Sequence, residues 1–219
     1  MKILVLGEEE YMQEFDAKFG RENECTYANH DSDFDFQDFD VVFDLSIDES
    51  PENIERYAGD ESLTVFCNTA KISLAEIGFL TDEIACELFG FNGLPTFIDR
   101  EVMEVSLYRD ESSDRLKEIC EVLGTDHLIV DDRVGMVTPR VLCMIINEAF
   151  YTVQEGTSTK EEIDLGMKLG TNYPHGPFEW CEKIGVKHVY EILEAIYEDT
   201  KDERYKICSL LKKEYLKTA

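Results

Sequence analysis

The chain has 219 residues, 43% of them apolar, enough to fill one large or two small cores. Its 48 Asp and Glu against 21 Lys and Arg give a formal net charge of −27. That surplus argues against nucleic acid, whose phosphates need cations, and against an anionic membrane surface. It also weighs against polyanionic ligands unless a local basic pocket receives them. The opening MKILVLG has one Lys, a short apolar run and then three Glu, which is too little for a secretory signal. No apolar stretch is long enough to span a bilayer. The seven cysteines are odd in number, widely spaced and never in a CxxC pair, the usage of reduced thiols in a cytoplasmic protein.

In chain order, residues 2–6 read as a buried strand and 9–19 as a helix with Tyr11, Phe15 and Phe19 on one side. Residues 25–28 fit a short strand, and VVFDLS at 41–46 fits a second buried one. Pro51 opens a short helix over 51–58, with Ser50 as its cap. Further strands are expected at 63–67, 84–91, 103–108 and 127–130. A helix over 112–123 separates the last two, with Leu116, Ile119, Cys120 and Leu123 at helical spacing. After Asp131-Asp132 the strand patterns stop. Thr138 caps and Pro139 takes the first helical position of a long apolar helix that Gly156 stops. Ser158 and Glu161 have capping-box spacing for the next helix, which runs to Gly170. Amphipathic helices follow at about 177–184, 186–198 and 202–217. The organisation is an α/β domain over 1–130 and an all-helical domain over 131–219.

A strand, a glycine and a helix at the amino terminus invite a dinucleotide-binding reading. That site needs three glycines, for the turn, for the pyrophosphate and for helix packing. Here Gly7 is followed by Glu8-Glu9-Glu10-Tyr11-Met12, so only the first is present. Three carboxylates also stand where an anion would dock, although they suit the positive end of a helix. The run Asp31-x-Asp33-x-Asp35 suggests a calcium loop, but Phe36 and Val42 occupy the positions that need Gly and Glu. The better reading is a solvated loop whose Phe34, Phe36 and Phe39 pack inward. The four histidines show no ligand spacing, and no metal site is expected.

From Asp132 to about Tyr215 the motifs come in order. They are Asp132 and Gly135, Arg140, Asn147-Glu148-Ala149, Ile163-Asp164, Met167-Lys168-Leu169-Gly170, the turn Tyr173-Pro174-His175-Gly176-Pro177-Phe178, and Ile184-Gly185. This stretch resembles the carboxy-terminal domain of the 3-hydroxyacyl-CoA dehydrogenases. With that register, the first half resembles the family's nucleotide domain in several places. Val41 to Ser46 matches a strand with an acidic end at Asp44. Cys67-Asn68-Thr69-Ala70 with Ile72, Ser73 and Ile77 matches the SNTSS segment and its helix. Leu88 to Gly93 matches the GLHFFNP segment, and Met103-Glu104-Val105 the strand of the catalytic glutamate. The helical pair that the family inserts after its second strand, and which helps hold CoA, is missing between about 30 and 40.

The resemblance implies a shortened Rossmann-like parallel sheet domain, then a helical dimer-forming domain. It also implies a catalytic His–Glu pair with a Ser and an Asn. Of these only Glu104 is retained; Phe89 stands for the His, Ala70 for the Ser and Pro139 for the Asn. Phenyl, methyl and proline groups can neither take nor donate the protons required. Losing a positioned base costs on the order of 10²–10⁴ in rate. No other histidine lies between His30 and His127, and His175 reads as structural. Gly7 and Asn68 are the remaining cofactor-type positions. The expectation is a catalytically impaired homologue that binds itself, a partner or an acyl-CoA-like molecule as a homodimer, with no cofactor in the usual pose. The alternatives are an active NAD-dependent 3-hydroxyacyl-CoA dehydrogenase with an unusual base, or a small-molecule sensor.

Overall fold

The computed structural model describes residues 1–32 and 34–218; the side chains of Glu9 and Glu10 are also outside the described groups. The chain divides into two compact units, Met1–Met136 and Val137–Ala219. The break was expected near residue 131. The turn over 131–136 stays with the first unit because Gly135 N–H donates to Ala70 O at 2.9 Å. The Asp132 carboxylate also accepts from Leu74 and Ala75 N–H at 2.8 and 2.9 Å.

The first unit is a seven-stranded sheet ordered β2-β1-β3-β4-β5-β6-β7. Its strands are β1 Lys2–Leu6, β2 Glu24–Ala28, β3 Val41–Asp44, β4 Thr64–Asn68, β5 Glu87–Phe91, β6 Val102–Leu107 and β7 Asp126–Ile129. The first five run parallel, while β6 is antiparallel to β5 and carries β7 parallel to itself. The expected Rossmann-like parallel sheet is present, with one reversal at β6. The connection there is a loop, and only a crossover helix would return the chain to a parallel course.

Helices α1 (Glu9–Phe19), α2 (Leu74–Phe79) and α3 (Ser113–Leu123) cover the sheet. Two apolar cores result, as a doubly covered sheet requires. One gathers Phe15 and Phe19 of α1, Leu116 and Ile119 of α3, and the ladder Phe43, Phe66 and Phe89. Phe43 and Phe66 stack at 4.7 Å, and Phe89 sits 5.0 Å from Phe66. The other holds Leu4, Val42, Val65 and Leu88 under Ile54, Leu74 and Ile77. Phe34, Phe36 and Phe39 pack against this second core, as their spacing suggested. The stretch Pro51–Arg56 is a 3-10 helix and not an α-helix over 51–58, and Ser50 makes no side-chain cap bond.

The second unit contains α4 (Thr138–Gln154), α5 (Lys160–Thr171), α6 (Pro177–Ile184), α7 (Val186–Thr200) and α8 (Ser209–Tyr215). Thr138 is the first residue of α4 and not its cap; Val137 holds that place. The capping box at α5 is Thr159 with Glu162, one residue beyond the expected Ser158 and Glu161. Ser158 Oγ donates instead to Glu162 at 2.9 Å. The helix expected over 202–217 is broken into a 3-10 turn at Glu203–Tyr205 and α8. Buried Asn147 of α4 causes the break. Its amide donates to Lys206 O at 3.0 Å and accepts from Cys208 N–H at 2.9 Å, which holds the backbone out of helical pairing.

Candidate functional site

In a doubly wound sheet the ligand site lies at the carboxyl ends of the strands where their order reverses, here β1 and β3. Gly7 ends β1. A Cβ there would stand 3.0 Å from Leu45 Cβ, so close passage of the β3 end explains the glycine. Its N–H donates to Ala28 O at 3.2 Å and is not turned toward a ligand. Glu8 caps α1 without a side-chain bond, and Met12 stands where the third glycine belongs. Past β2, where a carboxylate would hold a ribose, the chain reads Ala28-Asn29-His30. These residues do not fit a dinucleotide in the usual pose.

That end of the sheet instead holds an internal polar cluster. Asp44 is fully buried and accepts from Tyr57 OH at 2.9 Å and from Ser46 N–H at 3.1 Å. His30 Nε2 lies 3.2 Å from the same carboxylate, and its buried Nδ1 has no hydrogen-bond partner among the described residues. Burial raises the Tyr57 hydroxyl and the Cys67 thiol well above their ordinary ranges. Nearby, the Asp48 side chain is 2% exposed and lies 3.6 Å from Lys71 Nζ. Burial lifts Asp48 to about 7, with Lys71 opposing. Asn68 donates to Leu45 O at 3.1 Å and accepts from Gly93 N–H at 3.0 Å. Both ends of its amide brace the sheet. Neither the His30–Asp44 nor the Asp48–Lys71 pairing was legible from spacing, because each joins residues that only the folded sheet brings together.

The catalytic-type positions separate in the same way. Across β5 and β6, Phe89 faces Leu107, Gly90 faces Ser106 and Phe91 faces Val105. Side chains alternate between the faces of a strand. Phe89, Phe91, Met103 and Val105 all enter the first core, so Glu104 projects from the other face. The resemblance set Phe89 in the place of the base; the structure puts it on the face opposite Glu104. The β5 positions that share a face with Glu104 are Leu88, which is packed in the second core, and Gly90, which pairs with Ser106. A Cβ there would collide with Ser106 Oγ and Thr69 Oγ1. No side chain, least of all an imidazole, has room at that point. Ala70 is buried and its carbonyl is taken by Gly135. Pro139 is buried in the first turn of α4, in the second unit.

In the second unit the family-type motifs are structural. Asp164 of α5 accepts from Phe178 N–H at 2.8 Å and Glu179 N–H at 3.1 Å, capping α6 from outside. Gly176 permits this, since a Cβ would run into that carboxylate. His175 stacks edge-on against Trp180 at 4.8 Å. In the acidic loop, Asp35 caps its own turn through Gln37 N–H at 3.1 Å. Arg56 donates to the His30 and Ser32 carbonyls and lies over Phe34 at 5.0 Å. Asp33, the middle member of that run, lies outside the described residues. Among the described residues of either unit taken by itself, no three metal-ligating side chains converge.

Residues 135–218 match the family model for the carboxy-terminal domain of 3-hydroxyacyl-CoA dehydrogenase. A 3-hydroxybutyryl-CoA dehydrogenase of Bradyrhizobium diazoefficiens is 29% identical over 188 residues, 82% of this chain and 64% of that protein. A probable 3-hydroxybutyryl-CoA dehydrogenase of Bacillus subtilis is 33% identical over 148 residues, 67% of this chain and 52% of that one. This chain belongs to the 3-hydroxyacyl-CoA dehydrogenase family. It spans between about half and two thirds of the length of these two relatives. In fold, it is similar to the crystal structure of (S)-3-hydroxybutyryl-CoA dehydrogenase from Ralstonia eutropha. There the TM-score is 0.76 at 19% identity, covering 99% of this chain and 94% of the other. The family's architecture is thus retained around strand ends whose polar groups are turned inward.

Proposed function

We propose that this chain is a dehydrogenase-family protein that binds without turning substrate over, acting as a homodimer on an acyl-CoA-like molecule or a partner enzyme. The observation that carries the reading is Gly90. Hydride transfer from a secondary alcohol needs a base held by a carboxylate; Phe89 lies on the face away from Glu104, and on Glu104's own face a side chain at Gly90 would meet Thr69 and Ser106. The Gly7 turn offers a dinucleotide no free N–H of its own and no third glycine. Pairing through the helical unit is supported by Leu165 and Leu169, one turn apart on α5 and 54% and 79% exposed. Its seven free thiols suit the cytoplasm.

Calorimetric titration with NADH and with acetoacetyl-CoA, alongside a turnover assay, tests the reading. The expected result is no turnover and no NADH binding at concentrations up to about a millimolar, with a dimer in sedimentation that Leu169→Glu dissociates. NADH binding near micromolar strength with turnover overturns it. That outcome would support a second reading, an active NAD-dependent 3-hydroxybutyryl-CoA dehydrogenase, which the names of the similar proteins and the retained Glu104 favour.

A further inference from the structure

The second unit contains a cavity of about 380 Å³ that no part of the proposed function uses. It falls within the size of small-molecule sites, roughly 300–1,000 Å³. Phe150 of α4 and Phe178 of α6 form its apolar floor, their rings 4.9 Å apart and inclined at 63°. Val186 and Cys181 extend that lining. Lys160, the first residue of α5, holds its ammonium 5.3 Å from both ring centres. Lysines 168, 201, 206 and 217 of this unit each stand against a glutamate. Lys160 has no close ion pair among the described residues: its ammonium rests on the two rings and feels the Glu214 carboxylate only from beyond ion-pair distance. In a chain of net charge −27, an ammonium so placed beside a ring-lined cavity is a specific feature.

We propose that this cavity binds a small monocarboxylate with an apolar body, its charge on Lys160 and its body on Phe150 and Phe178. The placement of Lys160 over the two rings selects that class. A neutral molecule leaves the ammonium without a close charged partner, and a cation meets it head-on. A polyanion would crowd Glu182 and Glu214 on the rim. Glu214 is itself committed, with Lys217 Nζ 3.1 Å from both its oxygens. Burial pushes the Cys181 thiol up to about 12, so it stays protonated and adds neither charge nor a nucleophile. Binding is therefore reversible. A charge-assisted contact with a carboxylate adds to the cation–ring contacts and does not replace them.

The test follows the amide signals of the full chain by NMR during titration with sodium hexanoate. Acetate, which has the charge without the body, and hexanamide, which has the body without the charge, serve as controls. Hexanoate is expected to shift signals around Phe150, Lys160 and Phe178, with both controls at least about tenfold weaker. Lys160→Gln should weaken hexanoate by about tenfold at an unchanged thermal midpoint, and Lys160→Arg should retain binding. No shifts with hexanoate, shifts confined to another region, or equal binding by Lys160→Gln would each overturn the site. The site lies wholly in the second unit, so its success or failure leaves the reading of the nucleotide turn untouched.

Discussion

At the scale of single residues, the most consequential group is Asp48. Its carboxyl is raised from 3.8 to about 7, chiefly by burial. The folded state therefore holds a proton that the unfolded chain releases near pH 4. Between about pH 4 and pH 7 the folded form binds more protons, so stability falls as pH rises and levels off above 7. Asp48→Asn removes that penalty. The variant should exceed the parent by on the order of 1–3 kcal/mol in urea unfolding at pH 8, and the two should converge near pH 4. A constant difference at both values would refute the assignment. Gly90 makes a second residue-scale prediction. Gly90→Ala forces a methyl into the Thr69 and Ser106 hydroxyls and should cost about 1–3 kcal/mol, read by the same unfolding curves. Nothing in the sequence around Gly90 announces that constraint. It comes from β6 crossing beside β5 and from the loop after β4.

At the scale of elements, the strand runs and helical periods were legible locally, while the caps at Ser50, Thr138 and Ser158 were not. Strands β1, β3 and β4 are short apolar runs, and α3 and α6 carry a clear helical period. Larger differences arise where a distant group decides: the last helix breaks because Asn147 claims the backbone at Lys206 and Cys208. The surroundings of the catalytic-type residues depend on remote groups in the same way. Placing Phe89 by resemblance says nothing of the face it takes, and the register with β6 settles that. The joint of α5 and α6 shows an element held by one remote group. Asp164→Ala leaves two α6 N–H groups without their acceptor and should cost about 1–3 kcal/mol. Thr159→Ala, which removes only a local cap on α5, should cost about 1 kcal/mol. Chemical unfolding of the two variants side by side checks the order. Equal losses would mean that Asp164 acts as no more than an ordinary cap.

At the scale of the whole molecule, the charge is divided unevenly. Residues 1–136 hold 34 of the 48 acidic residues and only 10 of the 21 basic ones, while the helical unit is close to balance. The sheet unit is thus the one that repels itself, and it is also the one whose family counterpart would receive a polyanionic cofactor. Several of its cations are occupied internally: Arg56 on the acidic loop, Lys71 on Asp48 and Glu49, Arg109 on the Ile84 and Cys86 carbonyls. Added salt shortens the screening length from about 30 Å at 0.01 M to about 8 Å at 0.15 M. Self-repulsion then weakens faster than the short internal pairs do. Raising sodium chloride over that range should therefore raise the thermal midpoint by several degrees, read by circular dichroism at fixed pH. Amide exchange should place the gain in residues 1–136 more than in 137–219. Stabilisation shared equally by both units would show that the acidic surplus is balanced by contacts within the sheet unit. The electrostatic objection to a dinucleotide there would then lose its force, leaving the one at the Gly7 turn to stand alone.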